Sequence, residues 1–494
     1  MHASDLLHPL IIASLPLAAG LVIRLFPSKA SRIAAPAAAA AAVTALLLTF
    51  LPKATPGLAR LDLLATTMAL LVASLGAVVL RFATRYLDGD PGLSRFLSWM
   101  SLTLGSVLTV VTSNHLLLMI GAWTATSLCL HRLLLHHPDR SGAVFAARKK
   151  FVFSRLAEVS LLTAAILLHN GHGTWRIDEL VSSIASGNHA GLPAAAFLLA
   201  FGAMLKSAQF PFHSWLPDTM DTPTPVSAFM HAGIINAGGF LVLRLAPVFT
   251  AAPSALWLLA VVGTVTAVFG AIVMLVQPGV KRSLAFSTIA QMGFMMIQCG
   301  LGAWGLALLH LVAHSLYKAH AFLRAGSTIG AVPRAAIPLT TPSLALGIAA
   351  GVALVAAIAT GLHAALPANS PSPPVFLSIL ALGLSYGIAR SWSGHRRNLF
   401  PGLAAATGIA SLAVALHTVA GSVMAGPAAP AVPAWLSIFV ALSFIGLFLF
   451  QSLLWRASAH PLGRFLYVQA LNGFYIGTIA NRLLNRLWPR QPLA

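Results

Sequence analysis

Acidic side chains are the scarcest feature of this 494-residue chain. Only ten residues are Asp or Glu, and all of them occur at or before Asp221, so the second half contains no carboxylate side chain. Charged residues of both signs make up 8% of the chain, whereas 58% is hydrophobic. No segment is long and polar enough to form a soluble domain, which points to a protein embedded in a membrane.

Cysteine and catalytic motifs are also lacking. The two cysteines, Cys129 and Cys299, lie in apolar runs without a partner motif and indicate neither a disulfide nor a metal centre. The chain has no nucleotide-binding loop, no Ser/His/Asp set and no redox-ligand pattern, and GIINAGGF is a small-residue packing face because no strand precedes it. We therefore expect no catalysis and no cofactor in this chain.

Apolar runs are abundant, and each is about 20 residues long, the length that crosses the hydrocarbon layer as a helix. The sequence predicts an all-α polytopic membrane protein with about 14–15 transmembrane helices, the first of them retained because it lacks the flanks of a signal peptide. The fifteen candidates are 5–26, 33–51, 61–82, 96–112, 114–135, 151–169, 192–210, 224–249, 255–276, 283–300, 303–330, 337–361, 374–390, 401–424 and 434–455.

The basic residues predict the orientation in the membrane. If the helices alternate, 23 of the 30 Lys and Arg residues fall in connections on one side, together with the tail. Positive residues favour the cytoplasmic side, so we expect an outer N-terminus, a cytoplasmic C-terminus and a bacterial inner-membrane location. This dispersion over short loops explains the net charge of +20 without nucleic acid, and leaves membrane lipids as the expected surroundings.

Three ionisable residues interrupt apolar runs: Glu158, Lys206 and Lys318. Each costs roughly 2.5 kcal/mol or more in lipid unless it is paired or hydrated, so such residues indicate a pathway for ions or protons. Arg155 lies one helical turn before Glu158, and a purely structural Arg155/Glu158 pair is the alternative interpretation.

The stretch after Lys206 cannot be one continuous helix, because Pro211, Pro217, Pro223 and Pro225 each lack an N–H and clash with the preceding turn. The sequence predicts a broken helix near Pro211–Pro225. Helix breaks at membrane depth line cavities and ion sites in transporters. A plain loop after the span is the alternative.

A second polar track follows one helix. His310, His314 and Lys318 recur every fourth residue and share one face, and His231 lies on the eighth span next to the break. Histidine passes protons near neutral pH, so we expect proton relay. The His pair lacks a third ligand and an HExxH motif, which argues against zinc in this chain.

Long motifs then indicate a family. KSAQFPFHSWLPDTMDTPTPVSAFMHAG at 206–233, VKRSLAFSTIAQMGF at 280–294 and HLVAHSLYK ending at Lys318 resemble the antiporter-like proton-conducting subunits of respiratory complex I and Mrp-type antiporters. The resemblance covers roughly residues 60–330 and implies inverted five-helix repeats with a broken helix in each. The implied domains are 1–95 (N-terminal helices), 96–250 and 251–400 (first and second repeats), 401–459 (C-terminal helices) and 460–494 (amphipathic cytoplasmic tail).

The resemblance also assigns the proton pathway. It implies relay roles for Lys206 and His231 in the first repeat and for Lys318 with His310 and His314 in the centre. The family's glutamate falls at Thr124, so the usual Lys/Glu pair is lost, and Glu158 matches the acid of the sixth span. The second repeat has no lysine in 337–361. Further candidates are Arg155, His213, Asp218 and Arg390.

Within the family, MHAGIINAGGFLVLRLAP, AHSLYKAHAFL and YVQALNGFY are most similar to the membrane subunits of DAB-type inorganic-carbon accumulating complexes. That similarity implies a large cytoplasmic partner, a zinc protein like β-carbonic anhydrases, which hydrates CO2 while protons enter through the membrane subunit. Two alternatives remain open: a subunit of a sodium/proton antiporter or complex I-like enzyme, and a non-conducting membrane anchor.

Overall fold

The computed structural model describes residues 9–50, 57–328, 339–365, 375–394, 398–423, 427, 430–453 and 460–488. Helices account for most of this part of the chain, and it contains no strand longer than the isolated bridges Ala59–Ser113 and His115–Arg176. The prediction of an all-α polytopic membrane protein is confirmed.

Twenty-one α-helices, numbered here in chain order, occur in the described ranges. They are α1 Ile11–Leu25, α2 Ala30–Thr49, α3 Leu63–Tyr86, α4 Leu93–Thr112, α5 Leu116–Leu134, α6 Ser141–His172, α7 Ile177–Ala185, α8 Leu192–Lys206, α9 Trp215–Asp218, α10 Thr224–Ala232, α11 Ala237–Arg244, α12 Ala246–Thr250, α13 Pro253–Val276, α14 Val280–Gly300, α15 Trp304–Leu323, α16 Thr341–Ala365, α17 Val375–Gly394, α18 Leu399–Val423, α19 Ala434–Leu453, α20 Pro461–Leu471 and α21 Ile476–Leu487.

Each of the fifteen predicted spans overlaps at least one of these helices. Eleven helical segments of the described chain are long and apolar enough to cross a membrane, and α1 and α8 are shorter apolar helices. The remaining two predicted spans correspond to α14 and α15, which carry the motifs at 280–294 and before Lys318 quoted above.

Close helix packing depends on glycine where backbones touch. On α13 and α14, a Cβ at Gly263 would lie 2.7 Å from the Gly293 carbonyl oxygen, and one at Gly293 would lie 2.5 Å from the Ala267 nitrogen. In lipid, helices associate mainly through such contacts rather than through the hydrophobic effect. The α13–α14 hairpin is thereby a tightly packed support for the polar residues of α14.

Helix α6 begins earlier than the sequence predicted. It starts at Ser141 rather than near residue 151, and it includes Lys149 and Lys150, whose exposed fractions are only 1% and 4%. The predicted span 151–169 leaves both lysines in the connection before it, whereas in the structure they are helical and belong to the protein interior.

The predicted break near Pro211–Pro225 is confirmed. Helix α8 ends at Lys206, and short helical turns that include α9 carry the chain to α10. Ala208 has φ +49°, a left-handed conformation that is uncommon for alanine. Buried side chains bind the freed backbone groups: Trp215 Nε1 donates to the Leu205 oxygen at 3.3 Å, and Thr266 Oγ1 accepts from the Phe210 amide at 2.9 Å.

A second interruption was not predicted. The single span 224–249 is divided into α10, a short 3-10 turn at Ile234–Asn236, α11 and α12. Side chains again bind the free carbonyls: Asn236 Nδ2 donates to the Ala232 oxygen at 3.0 Å, and Ser207 Oγ donates to the Ile235 oxygen at 2.7 Å. The two interruptions are therefore joined to each other through Ser207.

The second half differs from what the resemblance implies. A break was expected in each repeat, but α16 runs without interruption from Thr341 to Ala365. The tail folds as α20 and α21 and packs on the rest of the chain: Gln277 Nε2 donates to the Leu471 oxygen at 3.0 Å, and Lys149 donates to Asn481 Oδ1 at 2.6 Å.

Candidate functional site

A buried ion pair lies at the end of α8. Lys206 Nζ donates to Glu158 Oε1 at 3.0 Å, and their side chains are 8% and 10% exposed. Arg155 Nη2 contacts the other carboxylate oxygen of Glu158 at 2.7 Å. The usual pair with an acid of the fifth span is absent, since Thr124 occupies that position, and Glu158 on α6 is the carboxylate partner of Lys206 instead.

Two further residues extend this cluster. Lys150 Nζ donates to the carbonyl and the hydroxyl oxygens of Ser127 at 2.7 and 2.8 Å, and Arg155 Nη2 donates to the same hydroxyl at 3.3 Å. The ammonium group of Lys206 also lies 5.4 Å from the centre of the Trp123 ring. Three cations and one carboxylate therefore share a largely buried volume between α5, α6 and α8.

Polar side chains lead from this cluster towards α15. Ser207 follows Lys206 directly and reaches Ile235, as described above, and the next residue, Asn236, donates to Ser315 Oγ at 2.7 Å. Ser207, Asn236 and Ser315 are each fully buried. Ser315 lies on α15 between His314 and Lys318, so the two halves of the predicted pathway are linked through the helix breaks.

His231 and Lys318 meet at α14. His231 Nδ1 lies 2.9 Å from Thr288 Oγ1, and both Thr288 Oγ1 and Lys318 Nζ donate to the Leu284 oxygen at 3.1 Å. His231 and Lys318 are completely buried. The imidazole also stacks on Phe322, with ring centres 4.5 Å apart.

His310 and His314 continue the same face of α15. Their ring centres are 5.9 Å apart, His314 is buried, and His310 is half-buried against Phe294. The Nε2 atoms of His231 and His314 are buried without a hydrogen-bond partner among the described residues. Such nitrogens are available to exchange protons with water or with each other.

The part of the break that contains Ser214 and Asp218 borders a cleft. Lys149 Nζ donates to Asp218 Oδ2 at 2.8 Å, to the Ser214 oxygen at 3.2 Å and to Asn481 of α21. Asp218 and Asn481 also line a cleft of about 950 Å³, together with Tyr86, Asp221, Lys281 and Arg282. The cleft lies where α6 and α14 begin, on the side that the basic residues predict to be cytoplasmic.

Two candidates stand apart from this arrangement. His213 is buried against Phe269, with ring centres 4.5 Å apart, and its Nδ1 has no described partner. Arg390 lies on α17 and donates only a long 3.4 Å bond to the Tyr386 hydroxyl, in an exposed position. The structure thus places His213 beside the break, and among the described residues no polar contact joins Arg390 to the other candidates.

Sequence reasoning missed Lys149, Lys150, Asn236 and Thr288. Lys150 and Glu158 lie eight residues apart and therefore share one helix face. This relation could not be recognised because α6 was expected to start after Lys150. The sequence contains no comparable indication for Thr288 and Asn236. The role of an uncharged polar residue in a membrane helix can be assigned only when its neighbour on another helix is known.

Comparisons with known proteins identify the family of this chain. Residues 113–370 match the family described as NADH:quinone oxidoreductase/Mrp antiporter, TM, and residues 58–97 match the N-terminus of chain 5 of NADH-ubiquinone oxidoreductase (complex I). The match to the first family covers both helix breaks and α15.

Similar curated proteins include two named as probable inorganic carbon transporter subunits. DabB of Hydrogenovibrio crunogenus is 43% identical over 64% of this chain and 61% of its own length, and DabB2 of Halothiobacillus neapolitanus is 38% identical over 88% and 82%. A chloroplastic NAD(P)H-quinone oxidoreductase subunit 5 of Chloranthus spicatus is 38% identical over 54% of this chain and 37% of its own length.

Solved structures share the fold. A chain of the Mrp complex from Dietzia sp. superposes with a TM-score of 0.64 at 25% identity, over 98% of this chain and 60% of that one. A chain of respiratory complex I from Thermus thermophilus gives a TM-score of 0.54 at 22% identity, over 90% and 97%.

Proposed function

Because this chain belongs to the antiporter-like family of membrane subunits shared by NADH:quinone oxidoreductases and Mrp antiporters, we propose that it conducts protons. It is of the type found in inorganic carbon transporters, and we propose that the proton flux drives inorganic carbon uptake. The proton gradient would power the one-way hydration of CO2 to bicarbonate. That chemistry would occur in a large, zinc-containing, β-carbonic-anhydrase-like partner on the cytoplasmic side.

The observation that carries this proposal is the Lys206–Glu158 pair at the helix break. The two side chains are in contact at 3.0 Å, and burying them costs desolvation free energy even though they are paired. Ionisable residues inside a membrane protein therefore indicate a function beyond packing. Arg155 and Lys150 surround the pair, so a proton that reaches Glu158 would release Lys206 from the one carboxylate it contacts among the described residues. Protonation and the position of the lysine are thereby coupled.

The proposed route joins the polar clusters described above, and water would carry the proton where their side chains are not in contact. Protons enter from outside, pass His310, His314 and Lys318, and reach His231 through the groups around Leu284. Asn236 and Ser207 lead on to Lys206 and Glu158. Lys149 and Asp218 then connect the break to the cleft, where the partner would receive them.

Substitution of Lys206 tests conduction directly. Arginine keeps the positive charge beside Glu158 but does not release its proton, whereas alanine removes both the charge and the proton. We expect Lys206→Arg and Lys206→Ala to assemble in the membrane and to abolish growth at the CO2 concentration of air. Lys29→Ala, which removes an exposed lysine at the start of α2, is the matched control and should grow like wild type.

The readouts are growth in air and at elevated CO2 of a bacterial host that depends on this uptake system, together with uptake of labelled inorganic carbon. Membrane abundance of each variant is measured alongside. Normal uptake by Lys206→Arg would refute proton exchange at Lys206. Normal uptake by both variants would favour the non-conducting anchor, whose function depends on docking alone.

The similarity to the Dietzia Mrp complex supports a second candidate function, a subunit of a sodium/proton antiporter. Co-purification separates the two functions. A single large zinc-containing partner supports carbon uptake, whereas a set of six or more membrane subunits and sodium-dependent proton flux in vesicles support the antiporter.

A further inference from the structure

Two imidazoles and one carboxylate converge away from the proposed proton route. Asp90 lies in the turn between α3 and α4, and His136 and His137 lie in the connection between α5 and α6. One ligand atom from each of the three side chains can be chosen so that all lie within 4.8 Å of one another. The cluster is on the side where the basic connections lie.

The geometry of the closest pair fits a shared metal ion. His136 Nε2 and Asp90 Oδ2 are 3.1 Å apart. Ligand atoms around a tetrahedral zinc ion with bonds of about 2.0 Å lie roughly 3.3 Å from each other. The pair needs little movement to bind one ion, and His137, which is half-buried beside it, offers a ring nitrogen within 4.8 Å of both ligand atoms.

The loop is built around the His136 ring. The ring packs edge-on against Phe96 with centres 5.0 Å apart, and its side chain is only 4% exposed. The Gly92 amide donates to Asp90 Oδ1 at 2.6 Å and fixes the carboxylate. A Cβ at Gly92 would lie 2.8 Å from His136 Cε1, so only glycine leaves the ring this space. Two of the three ligands are thus held in place before any ion binds.

We propose that Asp90, His136 and His137 form a divalent metal site that binds Zn²⁺ with one coordination position open to water or to another ligand. Two imidazoles and a carboxylate match the ligand set that zinc takes in open sites, whereas calcium and magnesium prefer oxygen ligands alone. The ion ties the α3–α4 turn to the α5–α6 connection. The sequence expectation of no metal in this chain rested on the His310/His314 pair and did not consider these residues.

The test is zinc binding by the full chain, purified in detergent without a histidine tag and stripped with a chelator. Zn²⁺ titration followed by calorimetry should give one site per chain, and Zn²⁺ should raise the melting temperature. His137→Ala and Asp90→Asn should each weaken binding at least about tenfold. His189→Ala removes an exposed histidine on the opposite side and should bind zinc like wild type.

Cobalt gives an independent readout, because tetrahedral Co²⁺ absorbs visible light strongly and the band depends on the ligands. The band should appear in wild type and be lost in His137→Ala. Equal zinc affinity in wild type and His137→Ala, or no stoichiometric zinc binding by a folded wild type, would overturn the proposal and leave Asp90 and His136 as a simple hydrogen-bonded pair. Neither result depends on whether the chain conducts protons.

Discussion

At the scale of single residues, hydrogen bonding defines the tautomer of His231. The Thr288 hydroxyl has one proton, and it donates that proton to the Leu284 oxygen. While it does so, the hydroxyl can only accept from His231, and in this arrangement a neutral imidazole carries its proton on Nδ1 and leaves Nε2 without a proton. Thr288 is in this sense a positioning residue for the proposed relay.

Replacing Thr288 by valine keeps the shape and removes the acceptor. We expect Thr288→Val to slow proton-driven carbon uptake about tenfold, because an unsatisfied Nδ1–H group costs about 1–3 kcal/mol and releases the imidazole from its orientation. Uptake at several pH values measures the effect, since a wrong tautomer shifts the pH profile.

Thr264→Val is the matched control. Thr264 is equally buried on α13, and its hydroxyl bonds the Ala260 oxygen of its own helix. If both variants lower uptake equally with unchanged pH profiles, the contribution of Thr288 is packing alone.

The individual candidates were predictable to different degrees. Lys206, Lys318 and Glu158 could be found because a charge in an apolar run needs no partner to be recognised. The contact between Lys206 and Glu158 could not be predicted, because it depends on how α6 packs on α8. Lys150 was missed for a local reason, the wrong start of α6.

At the scale of helices, the tail closes over the break. Lys149 reaches Asp218, Ser214 and, on α21, Asn481. Arg148 and Phe151 on α6 both contact the Trp488 ring, at 5.1 and 6.3 Å. The sequence predicted only an amphipathic cytoplasmic tail. Its contacts with α6 are those of a helix that covers the cleft from one side.

Asn481→Ala should loosen this helix. A hydrogen bond to a buried ammonium contributes roughly 1.5–3 kcal/mol, so its loss should raise the rate of local opening by about tenfold or more. Limited trypsin digestion in detergent measures this opening through cleavage after Arg482 and Arg486. Asn485→Ala, at an exposed position on the same helix, should be cleaved at the wild-type rate. Equal cleavage of all three proteins would contradict the role of Asn481.

Helix positions were more predictable than helix ends and interruptions. The four prolines after Lys206 specify the first break by themselves. The second break, at Gly233–Asn236, has no proline, and it is stable because Ser207 and Asn236 bind the free carbonyls. Such side-chain compensation depends on neighbours in space, which the linear pattern does not contain.

At the scale of the whole molecule, one ion pair holds distant helices together. Arg244 Nη1 at the end of α11 contacts Asp62 Oδ2 at 2.6 Å, and Asp62 also caps α3 through the Ala65 amide at 2.9 Å. Burial by itself raises the pKa of the Asp62 carboxyl, but Arg244, the Ala65 amide and Arg60 together hold that pKa below its usual value.

The lowered pKa predicts the pH dependence of stability. The carboxylate stabilises the fold above the pKa of the unfolded chain, and this contribution is lost as the pH falls through the folded pKa. Asp62→Asn should lower the free energy of unfolding by about 3 kcal/mol at neutral pH, and its melting temperature should fall less on acidification than that of wild type.

Glu179→Gln supplies the comparison. Glu179 pairs with Arg176 at 3.1 Å, but its side chain is 51% exposed, so its loss should cost at most about 1 kcal/mol. Thermal unfolding in detergent across the acidic range measures both variants. If Asp62→Asn lowers the free energy of unfolding no more than Glu179→Gln does, the Arg244–Asp62 pair contributes little to stability.

The distribution of carboxylates has a consequence for ion selectivity. His231, His310, His314 and Lys318 lie in a chain without a single acid after Asp221. Proteins hold alkali metal ions with rings of oxygen ligands, and imidazole and ammonium groups do not form such a ring. A sodium ion at α15 would meet the positive charge of Lys318 with no carboxylate side chain from the second half of the chain to offset it, whereas a proton would simply become part of an imidazole.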